Sequence, residues 1–288
     1  KRSVSGSLRF IAMERKLLSP PQQKQYWTSY LWLGAIALVM LFPIVWLFST
    51  ALKSPDENIF RILERPTLTN FLRVWHSVPF GRYLWNSIVV SSITVILNLL
   101  LCALAAYPLA RMDFKGKKLI FWAITGTLMI PFQVTLIPLY VLAVQLGLKN
   151  TYLGLIFPCV VSPFGIFLLR QAFQGVPKEL EEAALMDGCH SLEIWWCIML
   201  PAIRPALITL AIFTFVSAWG DFLWPLLMVD KPELYTLPLG VATLESAFSQ
   251  DWRLITAGSV LALFPLLLLF VWVQKYIIPS DVVTGIKG

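Results

Sequence analysis

Long apolar runs separated by short polar stretches dominate this chain, and the lengths of those runs carry more information than any local periodicity. An α-helix rises about 1.5 Å per residue, so crossing about 30 Å of hydrocarbon takes about 20 apolar residues. Six runs reach that length, at 28–52, 84–110, 119–146, 152–172, 205–229 and 257–278. Each is apolar around its whole circumference, which excludes the one-sided helices of a soluble globule. Backbone groups in lipid must be satisfied within the segment that carries them, so six helices are predicted; the period-two alternation of a membrane barrel is absent. Pro43, Pro108, Pro131, Pro138, Pro158, Pro163, Pro225 and Pro265 lie in or beside these runs. Each removes a backbone donor and predicts a kink there.

Composition agrees with this reading. Of 288 residues, 58% are hydrophobic and 14% charged, against about 25% charged in soluble domains, and mean hydropathy is +0.73. Twelve Trp and 19 Phe suit a chain in contact with membrane lipid and its headgroup belt. Cys102, Cys159, Cys189 and Cys197 match no zinc or haem spacing and read as reduced structural thiols. The net charge of +7 is distributed as membrane topology rather than as a face that tracks nucleic acid. Counted by connection, fifteen Lys/Arg fall on the side of the N-terminus and eight on the other. Both termini are therefore expected in the cytoplasm. The organisation that follows is a cytoplasmic tail at 1–27, a six-span domain at 28–279 and a cytoplasmic tail at 280–288. Within the domain, 175–204 is an inside connection and 230–256 an outside one.

The inside connection at 175–204 differs from the others. Pro177 suits a first helical turn, where Glu179, Glu181 and Glu182 complement the helix dipole. Leu180, Ala183, Ala184 and Asp187 follow at i, i+3, i+4 and i+7, which places them on one face. Gly188 suits a left-handed helix end, and Ser191 suits the N-cap of a second helix with Glu193 in its first turn. A helix–turn–helix is predicted. Its five acids, including Asp187, disfavour anionic lipid and point to a protein partner.

Glu182-Ala183-Ala184, Gly188, Ile198, Leu200 and Pro201 also stand at the spacing E-A-A-x3-G-x9-I-x-L-P. That pattern resembles the coupling loop of bacterial ABC importer permeases. The resemblance narrows to the carbohydrate-uptake permeases, similar to the second maltose permease, through Asn86-Ser87, LAAYPLAR at 104–111, IPFQVTLIPLY at 130–140 and VVTGIKG at 282–288. It implies an all-α membrane protein with the six-helix permease fold of type I ABC importers, in the bacterial cytoplasmic membrane. It also implies a homologous second permease, two cytosolic ATPase subunits that carry ATP and Mg, and an extracytoplasmic sugar-binding protein. The residues 182–184, 187–190, 198, 200 and 201 would couple to the ATPase, with Asp187, Cys189 and His190 in the turn. In the tail, Thr284, Gly285, Ile286, Lys287 and Gly288 would reach between the ATPases. Part of 239–249, including Gly240, Thr243, Glu245 and Ser246, would be the loop that enters the binding protein. Two departures stand out. The turn reads Asp-Gly-Cys-His where the family has Asp-Gly-Ala-Ser, and Gly220 replaces Asn in WGDFLWPL at 219–226.

No phosphate-binding G-x4-G-K-[ST] occurs, and neither a nucleophile elbow nor a H-E-x-x-H metal motif is present. No catalytic residue, metal site or cofactor is therefore expected in this chain. His76 and His190 belong to different connections and form no joint site. Asp221 is the one acid well inside a predicted span, between Trp219 and Trp224, where carboxylate and aromatic faces would suit a sugar. Capping or interfacial pairing is the plainer alternative. Asn98 and Gln133 are further candidates for the path. A neutral sugar, either an oligosaccharide or a glycosylated polyol of the compatible-solute type, is the expected cargo. Glycerol phosphate or another polyol on the same architecture, and more distantly a secondary carrier, are the alternatives.

Overall fold

A computed structural model describes residues 22–247 and 251–277. Residues 1–21, and the tail residues Thr284, Gly285, Ile286, Lys287 and Gly288, lie outside that range. The first long apolar run forms α1 (Gln22–Ala51), exposed along most of its length and joined to the bundle through Leu47, Phe48 and Ala51. The connection that follows is not featureless. It carries a short helix, α2 (Thr69–Ser77), whose Asn70 side chain donates to the carbonyls of Ala51 at 2.9 Å and Lys53 at 2.8 Å. Those bonds close the C-terminal end of α1, where intrahelical donors run out.

The centre of the molecule is α3 (Phe80–Arg111). At 32 residues it is roughly 48 Å long. Its buried side includes Ser87, Ser91, Thr94, Asn98, Cys102 and Ala106, about one small or polar residue per turn. Small residues on a membrane helix let neighbouring backbones come close, which is the main source of packing energy where all surfaces are apolar.

Three of the six expected spans are broken. The third consists of α4 (Lys117–Met129) and α5 (Phe132–Gln145), bent by 103°, and the fourth of α6 (Tyr152–Cys159) and α7 (Pro163–Gln174), bent by 50°. Prolines explain both breaks: Pro131 and Pro163 lack an N–H and hold Ile130 and Ser162 extended. Pro43, Pro108, Pro138 and Pro265 lie inside helices that continue through them, so only some prolines end a helix. The inside connection forms α8 (Lys178–Met186) and α9 (Ser191–Ala202), the latter carrying a π-helical turn at Trp195–Met199. The chain then turns by 78° into α10 (Arg204–Gly220), and the fifth span ends in a separate short helix, α11 (Leu223–Met228). Beyond it lie α12 (Leu237–Ala247) and α13 (Trp252–Ile277). Counting each bent pair as one span, up to six crossings are present, as expected, and three of the helices are long and apolar enough to cross alone.

Three apolar clusters hold these elements. One joins the C-terminal half of α3 to α7, α8 and α9; a second joins α2, the start of α3, α12 and α13; a third joins α5, α6 and α11. Close approach to backbone is tightest at Gly154 of α6, where a Cβ would stand 2.2 Å from the Leu148 carbonyl oxygen and 2.7 Å from Met228 Cε. Backbone cannot yield as a side-chain tip can, so Gly154→Ala is expected to destabilise the protein by about 1–3 kcal/mol through overpacking. Thermal unfolding in detergent checks this, and an unchanged midpoint would show that α6 has room to shift.

Candidate coupling hairpin and transport path

The α8–α9 hairpin is built as its sequence requires. At its turn Gly188 has φ +83°; the Gly188 amide donates to the Leu185 carbonyl and the Cys189 amide to the Ala184 carbonyl. Both bonds satisfy carbonyls that the helix end would otherwise leave open. The second helix differs from expectation by one residue. His190, in extended conformation, is the N-cap; its amide donates to Glu193 Oε2 at 2.8 Å, and its carbonyl accepts the first helical bond from Ile194. Ser191 is thus the first helical residue.

Burial divides the motif residues into two groups. Ala184 is buried in the cluster formed with α3 and α7, while Ile198 and Leu200 pack against it and Pro201 is half-buried. Their side chains anchor the hairpin to its own bundle. Glu182, Ala183, Asp187, Gly188 and His190 are exposed, with Cys189 half-buried beside them. The one-face reading of the first helix is corrected accordingly: Ala184 turns inward, whereas Leu180, Ala183 and Asp187 turn out. Leu185, Met186, Leu192 and Trp196 add exposed apolar area around them. The hairpin is also strapped to the end of α3. Arg111 Nε lies 3.6 Å from Glu181 Oε2, and the Arg111 guanidinium donates to the Val176 carbonyl.

The residues proposed for a path do not form one site. Asp221 stands between α10 and α11, where its Oδ1 accepts the Trp224 amide at 3.3 Å and caps α11. The two flanking indoles diverge. Trp219 is buried, stacks on Phe215 at 5.5 Å and donates from Nε1 to the Ala262 carbonyl at 3.2 Å. Trp224 is buried on the other side and donates to the Gly154 carbonyl at 2.9 Å. Neither ring stands free beside the carboxylate. Asn98 is buried in α3; its Nδ2 donates to the Cys159 carbonyl at 2.9 Å, and its Oδ1 accepts from the Thr214 hydroxyl at 3.3 Å. Together with Cys159, Ser162, Thr214, Ser217 and the rings of Phe132, Phe164 and Phe213, it lines a cavity of about 400 Å³. Gln133 lies on an exposed face of α5.

At the far end of α3 the expected loop at 239–249 is a helix as far as Ala247, and 248–249 lie outside the described residues. Leu237, Gly240 and Leu244 recur at helical spacing and turn inward, and a Cβ on Gly240 would meet the Tyr83 ring at 2.1 Å. Thr243 bonds back to the Gly240 carbonyl at 2.7 Å, and Glu245 is exposed. The side chain of Ser246 lies outside the described residues. A packed helix, not a free loop, therefore carries these positions.

Sequence reasoning missed a polar clamp at this end. Asn86 donates to the carbonyls of Glu233 and Tyr235, both at 2.9 Å, and accepts from the Tyr152 hydroxyl at 2.6 Å, while Ser87 accepts the Leu237 amide at 2.7 Å. Asn150, at φ 58°, accepts the Asp230 amide at 2.8 Å, and Lys149 Nζ lies 2.8 Å from Asp230 Oδ2. The signal was present in the sequence as amides at the ends of apolar runs, where open backbone groups need partners. The Lys149 ammonium, and then Asn150, hold the Asp230 carboxyl below its usual range.

Two outcomes are expected. Gly188→Ala forces a left-handed conformation on a residue with a Cβ, at a cost of about 1–2 kcal/mol, and should speed hydrogen exchange at the Gly188 and Cys189 amides. For Asp230 the folded pKa is depressed, so the clamp's ionic contribution is complete above the unfolded value of about 3.9 and fades as pH falls through the lowered one. Exchange at the Asp230 and Lys231 amides, corrected for intrinsic rates, should stay level from about pH 8 to 5 and rise only below about pH 4. Loosening near neutrality would show that the pair does not hold the clamp.

Comparison with known proteins agrees with this architecture. Residues 98–280 match the model of the family described as binding-protein-dependent transport system inner membrane component. The chain is 35% identical over 269 residues to the arabinooligosaccharides transport system permease protein AraQ of Halalkalibacterium halodurans, covering 91% of this chain and 96% of that one. It is 32% identical over 276 residues to the trehalose/maltose transport system permease protein MalG of Thermococcus litoralis, covering 89% and 95%. Among solved structures, a bacterial ABC transporter involved in the import of the acidic polysaccharide alginate superimposes with a TM-score of 0.81 at 23% identity, covering 90% of this chain and 99% of that one. That last likeness is one of fold. The relatives are named as transport permeases, which agrees with a multi-pass transport subunit rather than an enzyme. The full-length relatives, the family match and the broken-span helical bundle lead to one assignment: this chain belongs to the family of binding-protein-dependent transport system inner membrane components.

Proposed function

We propose that this chain is a permease subunit of an ATP-driven importer of a neutral oligosaccharide or glycosylated polyol, acting by alternating access in a bacterial cytoplasmic membrane. The single observation that carries the coupling reading is the division of the α8–α9 hairpin. Ala184, Ile198 and Leu200 are anchored in the bundle, while Glu182, Ala183 and the Gly188 turn project from it. An element rooted in the helices with a charged and apolar outer face can take up force from a soluble partner and pass it to α3 and α7. Two cytosolic ATPases would supply that force, a homologous second permease would complete the pathway, and an extracytoplasmic binding protein would deliver the sugar. ATP hydrolysis then shifts the assembly between two arrangements through contacts that differ between them.

The relatives named for arabinooligosaccharides and for trehalose and maltose favour a sugar. The 400 Å³ cavity at Asn98 supports a neutral one, since hydroxyls, an amide and aromatic rings line it and no charged side chain does. Aromatic faces and hydroxyls complement the C–H and O–H surfaces of an uncharged saccharide without the desolvation that a buried charge entails.

The test is ATPase activity of the assembled complex with its binding protein, across neutral oligosaccharides, glycosylated polyols and glycerol phosphate. Stimulation by a neutral saccharide is expected. Stimulation by glycerol phosphate alone would overturn the substrate class. In the same preparation Glu182→Lys should abolish co-purification of the ATPase while leaving membrane insertion intact. Normal uptake by that variant would remove the hairpin from the coupling path.

A further inference from the structure

The two sides of α10 differ in chemistry. Leu210, Phe213, Thr214 and Ser217 stand toward the cavity at Asn98. Two residues out of step, about 200° around the helix, Ile208, Ala211, Ile212 and Phe215 line a second space, a groove of about 480 Å³ between α3, α10 and α13. Ile96 of α3 and Leu269 of α13 form its other walls. Among the described residues no charged side chain lines this groove, and Ser92 supplies its one hydroxyl. A sugar entering it would lose hydration without regaining hydrogen bonds, so the groove is no branch of the transport path.

The lining also argues against a helix as its occupant. Membrane helices approach one another through small residues, and α3 keeps Ser87, Ser91, Cys102 and Ala106 on its packed side. Branched and aromatic side chains line the groove instead, and these hold a helical backbone off while accommodating a flexible chain. Charge marks the end of the groove nearest the hairpin. Arg204 begins α10 four residues before Ile208, on the same stripe as Ala211 and Phe215. It is exposed, and among the described residues it has no ion-pair partner. The chain turns out of the hairpin into α10 at this point, so hairpin, groove and cavity share one helix.

We propose that this groove binds an anionic phospholipid of the membrane, with an acyl chain against Ile208, Ile212 and Phe215 and the phosphate paired with Arg204. The apolar lining and the cation at one end match the two parts of that molecule, and a guanidinium fork takes a phosphate through two parallel hydrogen bonds. Seated there, the lipid touches α3, α10 and α13 at once and bears on the helix that joins the hairpin to the cavity. Placing its headgroup in the cytoplasmic leaflet rests on the importer reading above. The site itself rests on the groove and on Arg204.

The experiment uses the full complex, both permeases and two ATPases, in phosphatidylcholine nanodiscs. Each sample carries the same small fraction of one probe, either phosphatidylglycerol or phosphatidylcholine with a diazirine on its acyl chain. After illumination the labelled peptides are mapped by mass spectrometry and normalised to total labelling. Labelling of 208–215 and 269–273 is expected, about fivefold stronger with the phosphatidylglycerol probe, the weight of one arginine near an anionic headgroup. Arg204→Gln should erase that preference and Arg204→Lys keep most of it; the side chain is exposed, so the fold does not depend on it. Ala211→Trp, which fills the groove, should abolish the labelling with subunit composition unchanged. Equal labelling by the two probes in the wild-type complex would overturn the proposal and leave ordinary boundary lipid. So would labelling confined to other faces, which would show the second permease covering the groove. Neither ATP nor binding protein enters this measurement, so its failure leaves the importer reading standing. A complex that labels as expected, yet whose ATPase no sugar-loaded binding protein stimulates, would instead refute the importer reading and keep the lipid site.

Discussion

Inside hydrocarbon a backbone N–H or C=O group has no water to turn to, and this constraint organises the molecule. Where the helices run unbroken it is met automatically. Where they break, a side chain has been placed at the gap: Ser162 accepts the Gly165 amide at the start of α7, Asp221 accepts the Trp224 amide at the start of α11, and Asn70 donates to the last carbonyls of α1. At the bends of 103°, 50° and 78° stand Pro131, Pro163 and Pro205, which have no donor to satisfy, with Ser162 as an added cap at the second. The break at Cys159–Pro163 gives the cavity at Asn98 part of its lining, and the turn at Ile203 leads from the hairpin into α10.

The same economy explains the polar residues of α3. Asn86, Ser87 and Asn98 look costly in a membrane helix, yet each holds the backbone of another element: Asn86 and Ser87 the segment 233–237, Asn98 the break between α6 and α7. One long helix thereby fixes the positions of the broken spans around it. The hairpin is tied to the same helix through Arg111, Glu181 and Val176. Displacement of the hairpin thus bears directly on the element that positions both the cavity and the clamp at its far end.

Motif residues and packing residues are interleaved, and their roles separate only with burial. Of the pattern that begins at Glu182, the alanine at 184 and the apolar residues at 198 and 200 serve the bundle, while 182, 183 and 188 face outward. Trp219 and Trp224 are a parallel case. Adjacent in sequence to an acid, they resemble a sugar platform, yet each indole N–H is spent on a backbone carbonyl in a different cluster.

Sequence alone determined the number and approximate limits of the apolar segments, because span length is fixed by bilayer thickness and helical rise. It also determined the hairpin, because Pro177, Gly188 and Glu193 act through neighbours a few residues away. The spacing pattern across 182–201 was legible for the same reason. Tertiary structure alone decided which prolines break a helix, since Pro131 and Pro163 find room for a bend while Pro43, Pro108, Pro138 and Pro265 are carried within helices. It also decided that 237–247 is a packed helix, because only Tyr83, some 150 residues earlier in the chain, makes Gly240 a contact rather than a hinge. The reach of Arg253 across to Ser54 depends on elements nearly 200 residues apart meeting at one end of α3. Local spacing cannot encode such meetings; they arise from which faces pack.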